Sequence, residues 1–431
     1  MPHMSAAFFI DKFSKNGRGI GSQNGHEIEV IGSVPGDTVE IGKRFRKKKR
    51  WMADLLNIVK PSSVRIPPQC SHFPTCGGCT FQTLPYADQL KWKQSFVEDL
   101  FMSKVDPILG MDMPWFYRNK MEYTFRNGSL GLIAAGTKGK VLDLSDCVLT
   151  PPWFMEVLAR VREWWKKSNL SCYSDFKNCG TLRTLTLREG RRTGDRMIIL
   201  SVSGNADDAL GKQDLASFVE CVGKASIFLE TVHVKPGMQT QRCEMHLSGP
   251  HSIREKLSNL EFSISPSSFF QPNTVMAEKM FEVAKERIGK HKRAYDLFCG
   301  MGTIGMIMAD QMESVLGVEL NPYAVCDAET NLEINGIENV KVEKGDVKDL
   351  AVEGADIIFL DPPRSGLTPK MRERVIAVDA STILYIACNP KTQKEDVQVF
   401  SDSGFRVDWI QPVDQFPHTP HIENICLLKK S

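Results

Sequence analysis

An α/β fold is what this 431-residue sequence predicts: a Rossmann-like doubly wound sheet in its C-terminal part, behind an OB-like β-barrel and a central α+β region. Three observations predict it. From about residue 261, short apolar runs (AYDLFCG, SVLGVEL, NVKVEKGD, ADIIFLDPP and TILYIACNP) alternate with helix-length segments such as GTIGMIMADQM and PYAVCDAETNLEING. Strands alternating with helices build a parallel sheet, because each crossover between parallel strands needs a long return. Before residue 60, β-like stretches such as HEIEVIG and DTVEIGKRF are separated by Gly, Asn, Pro and Asp turn signals at the spacing of a small five-stranded barrel. Between the two lies a cysteine-bearing segment, QCSHFPTCGGCTFQ, preceded by the proline-rich linker PSSVRIPPQ at 61–69. The expected units are therefore 1–60, 61–260 and 261–431.

Composition narrows the class. Apolar residues make up 42% of the chain and charged residues 25%, the balance of a globular protein with real cores. The net charge of +2 is uneven: residues 1–60 carry 11 Lys/Arg against 6 Asp/Glu, and the remainder 43 against 46. A small basic unit on a near-neutral body suits a nucleic-acid partner. The early apolar patch AAFFI is too short for a signal segment, and no run is long enough to span a bilayer. A cytoplasmic protein with no membrane association is expected. Twelve cysteines in so long a chain point to metal or catalytic thiols and not to a disulfide framework.

The barrel contains KRFRKKKR at 43–50, seven cations with one aromatic between them. Such a run can be a solvated edge that deters strand pairing. With Phe45 and Trp51 beside it, an RNA-contacting strand and loop is the better reading. In the central region, YADQLKWKQSFVEDLF (86–101) reads as a helix, and TLRTLTLRE and RMIILSVSG read as strands.

The C-terminal strands end in carboxylates. DLFCGMGTIG (296–305) is a strand entering a glycine turn and a helix, which lets a ligand approach the backbone. Glu319, at the end of the next strand, is placed to take both hydroxyls of a ribose. Asp346 ends the third strand in the same register, where it can meet an adenine edge. In DPPRSGL (361–367) two prolines stiffen the lip that presents Asp361. Taken singly these acids serve as helix caps elsewhere, but their succession marks a nucleotide crevice. Its turn lacks the GxGxxG spacing of dehydrogenases, so an S-adenosylmethionine-dependent methyltransferase fits better.

The fifth strand ends in LYIACNP, 384–390, with Cys388 at its tip. A buried free cysteine is usually a small packing group; at a crevice it is a candidate nucleophile.

Together LYIACNP, DPPRSGL, DLFCGMGTIG, SPSSFFQPN (265–273) and DQFPHTPHIENICLL (414–428) resemble the RNA 5-methyluridine methyltransferases. The resemblance covers the C-terminal half. It extends further because the basic N-terminal unit resembles a TRAM domain and the cysteine segment resembles the iron–sulfur site of the branch that modifies 23S ribosomal RNA. The resemblance implies a class I methyltransferase domain in which Cys388 adds to carbon 6 of uracil and Glu423 removes the carbon 5 proton. It also implies cofactor contacts from Gln271, Phe298, Thr303, Glu319, Asp346 and Asp361. Thr303 and Ala387 depart from the residues usual in that branch, Asn and Ser. The target uridine is expected to leave its stack to reach the pocket.

Cys70, Cys76 and Cys79 supply three thiols, and Gly77 and Gly78 let the backbone turn tightly. Such thiolates build a zinc site as readily as an iron–sulfur cluster. The resemblance adds Cys147 as the fourth ligand and favours a 4Fe–4S cluster. The remaining cysteines, 172, 179, 221, 243, 299, 326 and 426, are expected in packing roles. Transfer RNA is the alternative substrate. The competing functions are a methyltransferase acting on an exocyclic amine, which needs no thiol, and a noncatalytic RNA-binding factor. No protein partner is implied.

Overall fold

The strand Thr382–Ala387 is buried along its whole length, and its side chains show how the C-terminal sheet is held. Leu384 and Ile386 enter one apolar core, while Ile383, Tyr385 and Ala387 enter a second. The neighbouring strand Ile357–Leu360 divides the same way, with Ile357 and Phe359 in the first core and Ile358 and Leu360 in the second. Side chains of a strand alternate between faces, so an unbroken apolar run suits a strand covered on both.

The computed structural model describes residues 7–430 except 48, 205–209, 235–236, 238–239 and 352. The C-terminal sheet has seven strands in the order Val340–Lys344, Met312–Glu319, His291–Leu297, Ile357–Leu360, Thr382–Ala387, Glu423–Lys430, Phe405–Val413. The first five are parallel, Glu423–Lys430 runs antiparallel to them, and Phe405–Val413 pairs antiparallel with Glu423–Lys430 and so runs in the direction of the first five. Every strand expected from the sequence is present. Helix Pro322–Asn335 is capped by the Asn321 side chain, which accepts from the Tyr323 N–H, and is ended by Gly336 at φ 61°. The segment after the glycine turn is shorter than expected: an α-helix over Thr303–Met308 gives way to a 3-10 turn, Ala309–Gln311.

The central sheet also has seven strands, including Leu182–Glu189, Arg196–Ser203 and Lys120–Arg126, with helices Pro152–Lys167 and Lys212–Val222 packed on it. The N-terminal unit is a six-stranded sheet around Phe8, Ile10, Ile28, Val30, Val39 and Ala53, one strand more than the barrel spacing suggested. Its strands include Thr38–Lys47 and Arg50–Lys60, which carry the basic run; Lys48 lies outside the described residues. Among the described residues no helix is long and apolar enough to cross a membrane.

Packing crosses the expected division at 260/261. Ile253–Leu257 pairs with Leu260–Ile264 as a hairpin, and its Ile253, Leu257, Phe262 and Ile264 join a core of the C-terminal sheet. Helix Tyr86–Phe101 forms where the sequence places it, but Val97 and Phe101 pack into the other core of that sheet. An ion pair sealed from solvent fixes this helix: Lys93 Nζ lies 2.5 Å from Asp414 Oδ1, and both side chains are 0% exposed. The Tyr86 hydroxyl donates to the other Asp414 oxygen at 2.8 Å, and Lys93 also donates to the Phe416 carbonyl at 3.1 Å.

Removing one member of a sealed pair strands the other charge, at a cost of about 3–5 kcal/mol. Lys93→Met is expected to lower the unfolding free energy by that much, and Lys93→Met/Asp414→Asn to recover part of the loss. A double variant that loses the sum of the two single losses would show that the two residues do not act as a unit.

Candidate functional site

A backbone register brings the thiol and a carboxylate together. Ala387 pairs with Asn424 across the antiparallel strands, so the next residues outward, Cys388 and Glu423, face each other at the sheet's end. Leu360 pairs with Tyr385 in the parallel direction, which sets Asp361 one strand over. All three line one cleft of about 1560 Å³, together with Gln271, Phe298, Thr303, Glu319 and Asp346. The structure thus gathers every residue predicted for catalysis or cofactor contact.

Buried polar side chains hold these strand ends in place. Gln393 donates to the carbonyls of Tyr385 (2.8 Å) and Asn424 (3.1 Å) and accepts from the Asn424 amide at 2.7 Å. Asp396 accepts from the Tyr385 hydroxyl (2.5 Å), the Leu367 N–H (3.0 Å) and Arg372 Nε (2.6 Å), tying the proline lip to the thiol strand. Asn389 and Thr392 both donate to the Arg364 carbonyl. Gln271 accepts from Gln415 at 3.1 Å, and its carbonyl accepts from Asn119 at 3.0 Å.

The electrostatics follow from burial. Cys388 is half-buried, and its pKa is pushed up to about 11 by burial first, then by the Glu423 and Asp361 carboxylates, with Arg364 opposing. Glu423 is 3% exposed; burial and Asp361 hold it well above the usual carboxylate range, again against Arg364. Burial raises Asp361 to about 7. A thiol between high-pKa carboxylates and one guanidinium can act as a nucleophile with a strong base beside it.

Two residues of the cleft lining, and one buried behind it, carry no assignment from the sequence. Arg364, in the DPPR motif, donates to His421 Nδ1 at 3.2 Å. His421 is pushed down to about 4, by burial first and then by Arg364, Lys93 and Arg118, and stays neutral near pH 7. Asp296 is 1% exposed; its Oδ2 accepts from the Gly305 N–H at 2.8 Å, Oδ1 has no partner among the described residues, and burial raises it to about 7. A buried Asp just before a glycine turn is a signal that the sequence does offer.

The crevice fits an adenosine-bearing cofactor. Glu319 accepts from the N–H groups of Gly300 (3.0 Å) and Asn321 (2.7 Å), which fixes its carboxylate while leaving lone pairs for ribose hydroxyls. Phe298 takes φ 64°, a region that bulky residues rarely adopt and that recurs at ligand sites. Gly300, at φ 56°, has nothing within 4 Å of where a Cβ would stand, so the backbone is open to a ligand. Asp346 is different. The third strand stops at Lys344, and Asp346 caps the following 3-10 turn, accepting from the Lys348 N–H and pairing with its ammonium at 2.7 Å. The helix-cap alternative is what this acid adopts, at the cleft's edge.

Cys70, Cys76, Cys79 and Cys147 line a second, small and mostly apolar cavity that shares Gly78, Met121 and Leu132 with the main cleft. The Gly78 N–H donates to Cys76 Sγ at 3.4 Å and the Gln82 amide to Cys79 Sγ at 3.2 Å. Among the described residues no group of three or more His, Cys, Asp or Glu is gathered as the ligand set of a metal ion. Of the cysteines expected to pack, Cys299 and Cys426 are buried, whereas Cys179, Cys243 and Cys326 are exposed; each of these three sits where its neighbours leave the thiol at the surface.

Comparisons agree with this geometry. The family model described as tRNA (Uracil-5-)-methyltransferase matches residues 251–353 and 344–431, and the TRAM domain of tRNA (uracil(54)-C(5))-methyltransferase matches 8–64. A Protochlamydia amoebophila protein named an RNA methyltransferase is 40% identical over 93% of this chain and 99% of its own. A Clostridium tetani protein of the same description is 32% identical over 98% of this chain and 96% of its own. The crystal structure of Pyrococcus abyssi tRNA (uracil-54, C5)-methyltransferase with S-adenosyl-L-homocysteine is similar over 99% of this chain and 100% of that one, with TM-score 0.82 and 27% identity.

Because the Glu423 carboxylate raises the Cys388 pKa, Glu423→Gln is expected to lower it. More thiolate is then present at pH 8, so iodoacetamide should alkylate Cys388 faster in the variant and the midpoint of its pH–rate curve should fall. An unchanged midpoint would show that Glu423 carries no charge that opposes ionisation of Cys388.

Proposed function

This chain belongs to the RNA uracil-5-methyltransferase family, whose activity is methylation of RNA with S-adenosylmethionine, and we propose that Cys388 is its nucleophile and Glu423 its base. The observation that carries this assignment is the register that sets the two side by side at the mouth of the nucleotide crevice.

Carbon 5 of uracil is too weak a nucleophile to take a methyl group unaided. The Cys388 thiolate adds to carbon 6, and the ring's electron pair moves toward carbon 5 as an enolate. S-adenosylmethionine, when bound, supplies the methyl group as a sulfonium. Gln271, Phe298, Thr303, Glu319 and Asp361 hold the cofactor in this reading, with Asp346 at the edge of the adenine site. After transfer, Glu423 takes the carbon 5 proton, the electron pair re-forms the ring double bond, and the thiolate leaves carbon 6. Burial makes Glu423 a stronger base than a solvated carboxylate. Arg364 favours the thiolate and steadies the charge on Glu423.

Cys70, Cys76, Cys79 and Cys147 would hold a 4Fe–4S cluster. Four thiols round one cavity, with an amide N–H on one sulfur and a side-chain amide on another, suit the donor set. A lone zinc ion needs sulfurs roughly 3.8 Å apart, from Zn–S bonds of about 2.3 Å, and the four thiols are not gathered as a single ion's ligands. The cluster would tie residues 70–79 to 147 beneath the cleft floor; methyl transfer passes no electron through it. The proposed units are 1–60, 61–260 and 261–431, with the Tyr86–Phe101 helix and the Ile253–Leu257 strand of the central unit packed on the C-terminal one.

The proposed substrate is 23S ribosomal RNA, on the motif set and the four-cysteine site. Transfer RNA is the second reading, supported by the full-length likeness to an enzyme named for uracil 54 of tRNA.

Incubation with 5-fluorouridine-substituted RNA and cofactor is expected to trap a covalent adduct, since fluorine at carbon 5 cannot leave as a proton. Mapping the trapped nucleotide decides between ribosomal and transfer RNA. Cys388→Ala should give no adduct, and full methylation by that variant would overturn the mechanism. Glu423→Gln should accumulate methylated adduct on ordinary RNA. With Cys388 near 11, the thiolate fraction grows with pH, so adduct formation should quicken about tenfold per unit between roughly pH 7 and 9. A flat profile would show that ionisation of the thiol does not limit adduct formation.

A further inference from the structure

A turn of the N-terminal unit is wedged into the wall of the catalytic cleft. Gly17, at φ 70°, has no room for a Cβ: one would stand 2.3 Å from Phe81 and 3.0 Å from Pro420, on the loop that leads into Glu423. Aromatic contacts continue the seam. Phe13 meets Phe81 edge-on with centroids 5.6 Å apart, Phe81 meets Trp92 at 5.1 Å, and Trp92 stacks on Phe96 at 5.6 Å. The Lys391 ammonium lies 5.3 Å over the Phe96 ring. The turn is therefore fixed relative to a lysine close behind the nucleophile in sequence.

Charge at this seam is unbalanced. Lys15, Arg18 and Arg50 from the N-terminal unit and Lys391 from the catalytic unit line the same cleft. Glu29, 5% exposed, pairs with Arg18 at 3.3 Å and Arg50 at 3.0 Å, so one carboxylate orients two guanidiniums. Among the described residues Lys15 and Lys391 have no carboxylate partner. Burial lowers the Lys391 pKa, and the nearness of Lys15 and Arg50 lowers it further. Cations held within range of one another from two sides of a cleft are relieved by an anion between them. Of the basic run at 43–50, Arg50 reaches this seam, whereas Lys43 and Arg44 are exposed outside the cleft lining.

We propose that Lys15, Arg18, Arg50 and Lys391 form a cradle for one backbone phosphate of the substrate RNA, beside the uridine that enters toward Cys388. The inference rests on the carbon 5 methylation reading. Lys391 follows Cys388 by three residues, a backbone distance of at most about 11 Å, within the span of one nucleotide from base to phosphate. A phosphodiester suits the site because its oxygens accept from cations on both sides at once. The cradle joins RNA capture by the N-terminal unit to placement of the base, with no sequence readout of its own.

The test is the salt dependence of binding to single-stranded oligouridylate, with enzyme loaded with S-adenosylhomocysteine. Each phosphate contact on a single strand contributes about 0.7 to the slope of log K against log salt. Lys15→Ala and Lys391→Ala should each reduce the slope by about 0.7 and weaken binding about tenfold. The double variant should lose little more than either, because both lysines grip one phosphate. Lys43→Ala should leave the slope as it is. Unchanged slopes, additive losses in the double variant, or an equal loss from Lys43→Ala would each overturn the cradle. Thermal melts matching wild type establish that the variants fold, which the lack of carboxylate partners for either lysine favours. If wild type forms no adduct with 5-fluorouridine RNA, the methylation reading falls while the slopes stay interpretable. If the adduct forms and the slopes do not move, the cradle alone falls.

Discussion

The antiparallel insertion of Glu423–Lys430 beside Thr382–Ala387 is the constraint on which the site depends. A purely parallel sheet would leave the thiol strand's tip facing solvent and the residues of its own loop. Running the last strand back alongside it places the start of that strand, Glu423, against the end of the other, Cys388. Because side chains alternate along a strand, a slip of one residue would turn Glu423 away and bring Asn424 forward. The Gln393–Asn424 amide pair opposes that slip, since its hydrogen bonds are satisfied in one register only. Catalytic geometry and sheet register are here the same fact.

Burial of the carboxylate follows from the same arrangement and makes it useful. Glu423 and Asp361 share a poorly solvated space, and each raises the cost of ionising the other. A base poised this high holds a proton more readily than a surface acid does, as removal from carbon 5 requires. The Lys93–Asp414 pair and the Asn119 contacts to Gln271 and Thr274 supply the rigidity this placement needs. They pull the Tyr86–Phe101 helix and the central sheet onto the loops that line the cleft.

Much of this was legible in the residues because each strand announces itself with an apolar run and ends in a residue with chemistry to offer. The C-terminal strands, the Tyr86–Phe101 helix and the strand-end residues Glu319, Asp361 and Cys388 were readable in that way, whereas Gln271, Phe298, Thr303 and Glu423 entered through the family resemblance. What escaped was set by contacts distant in sequence. The docking of that helix depends on Lys93 meeting a partner 321 residues away. Asp346 is a cap because its strand stops two residues early, and boundaries are what periodicity fixes least. Arg364 was printed inside a recognised motif, yet its role emerges only when His421 and the thiol come into range. Of the basic run, Arg50 is the member that lines the cleft among the described residues, and the rest of the cradle comes from Lys15, Arg18 and Lys391, scattered singly along the chain.

Charge then divides the cleft by chemistry. Its floor carries Glu319, Asp361 and Glu423, and its rim toward the N-terminal unit carries Lys15, Arg18, Arg50 and Lys391. A phosphodiester is held by the cations at the rim, whereas an uncharged uracil ring can enter among the buried acids at little electrostatic cost. The sulfonium donor is a cation, and the Glu319 carboxylate lines the same cleft. In the proposed cradle an RNA strand enters with its backbone at the cations and its base inward toward Cys388, so that phosphate capture and placement of the base are one event.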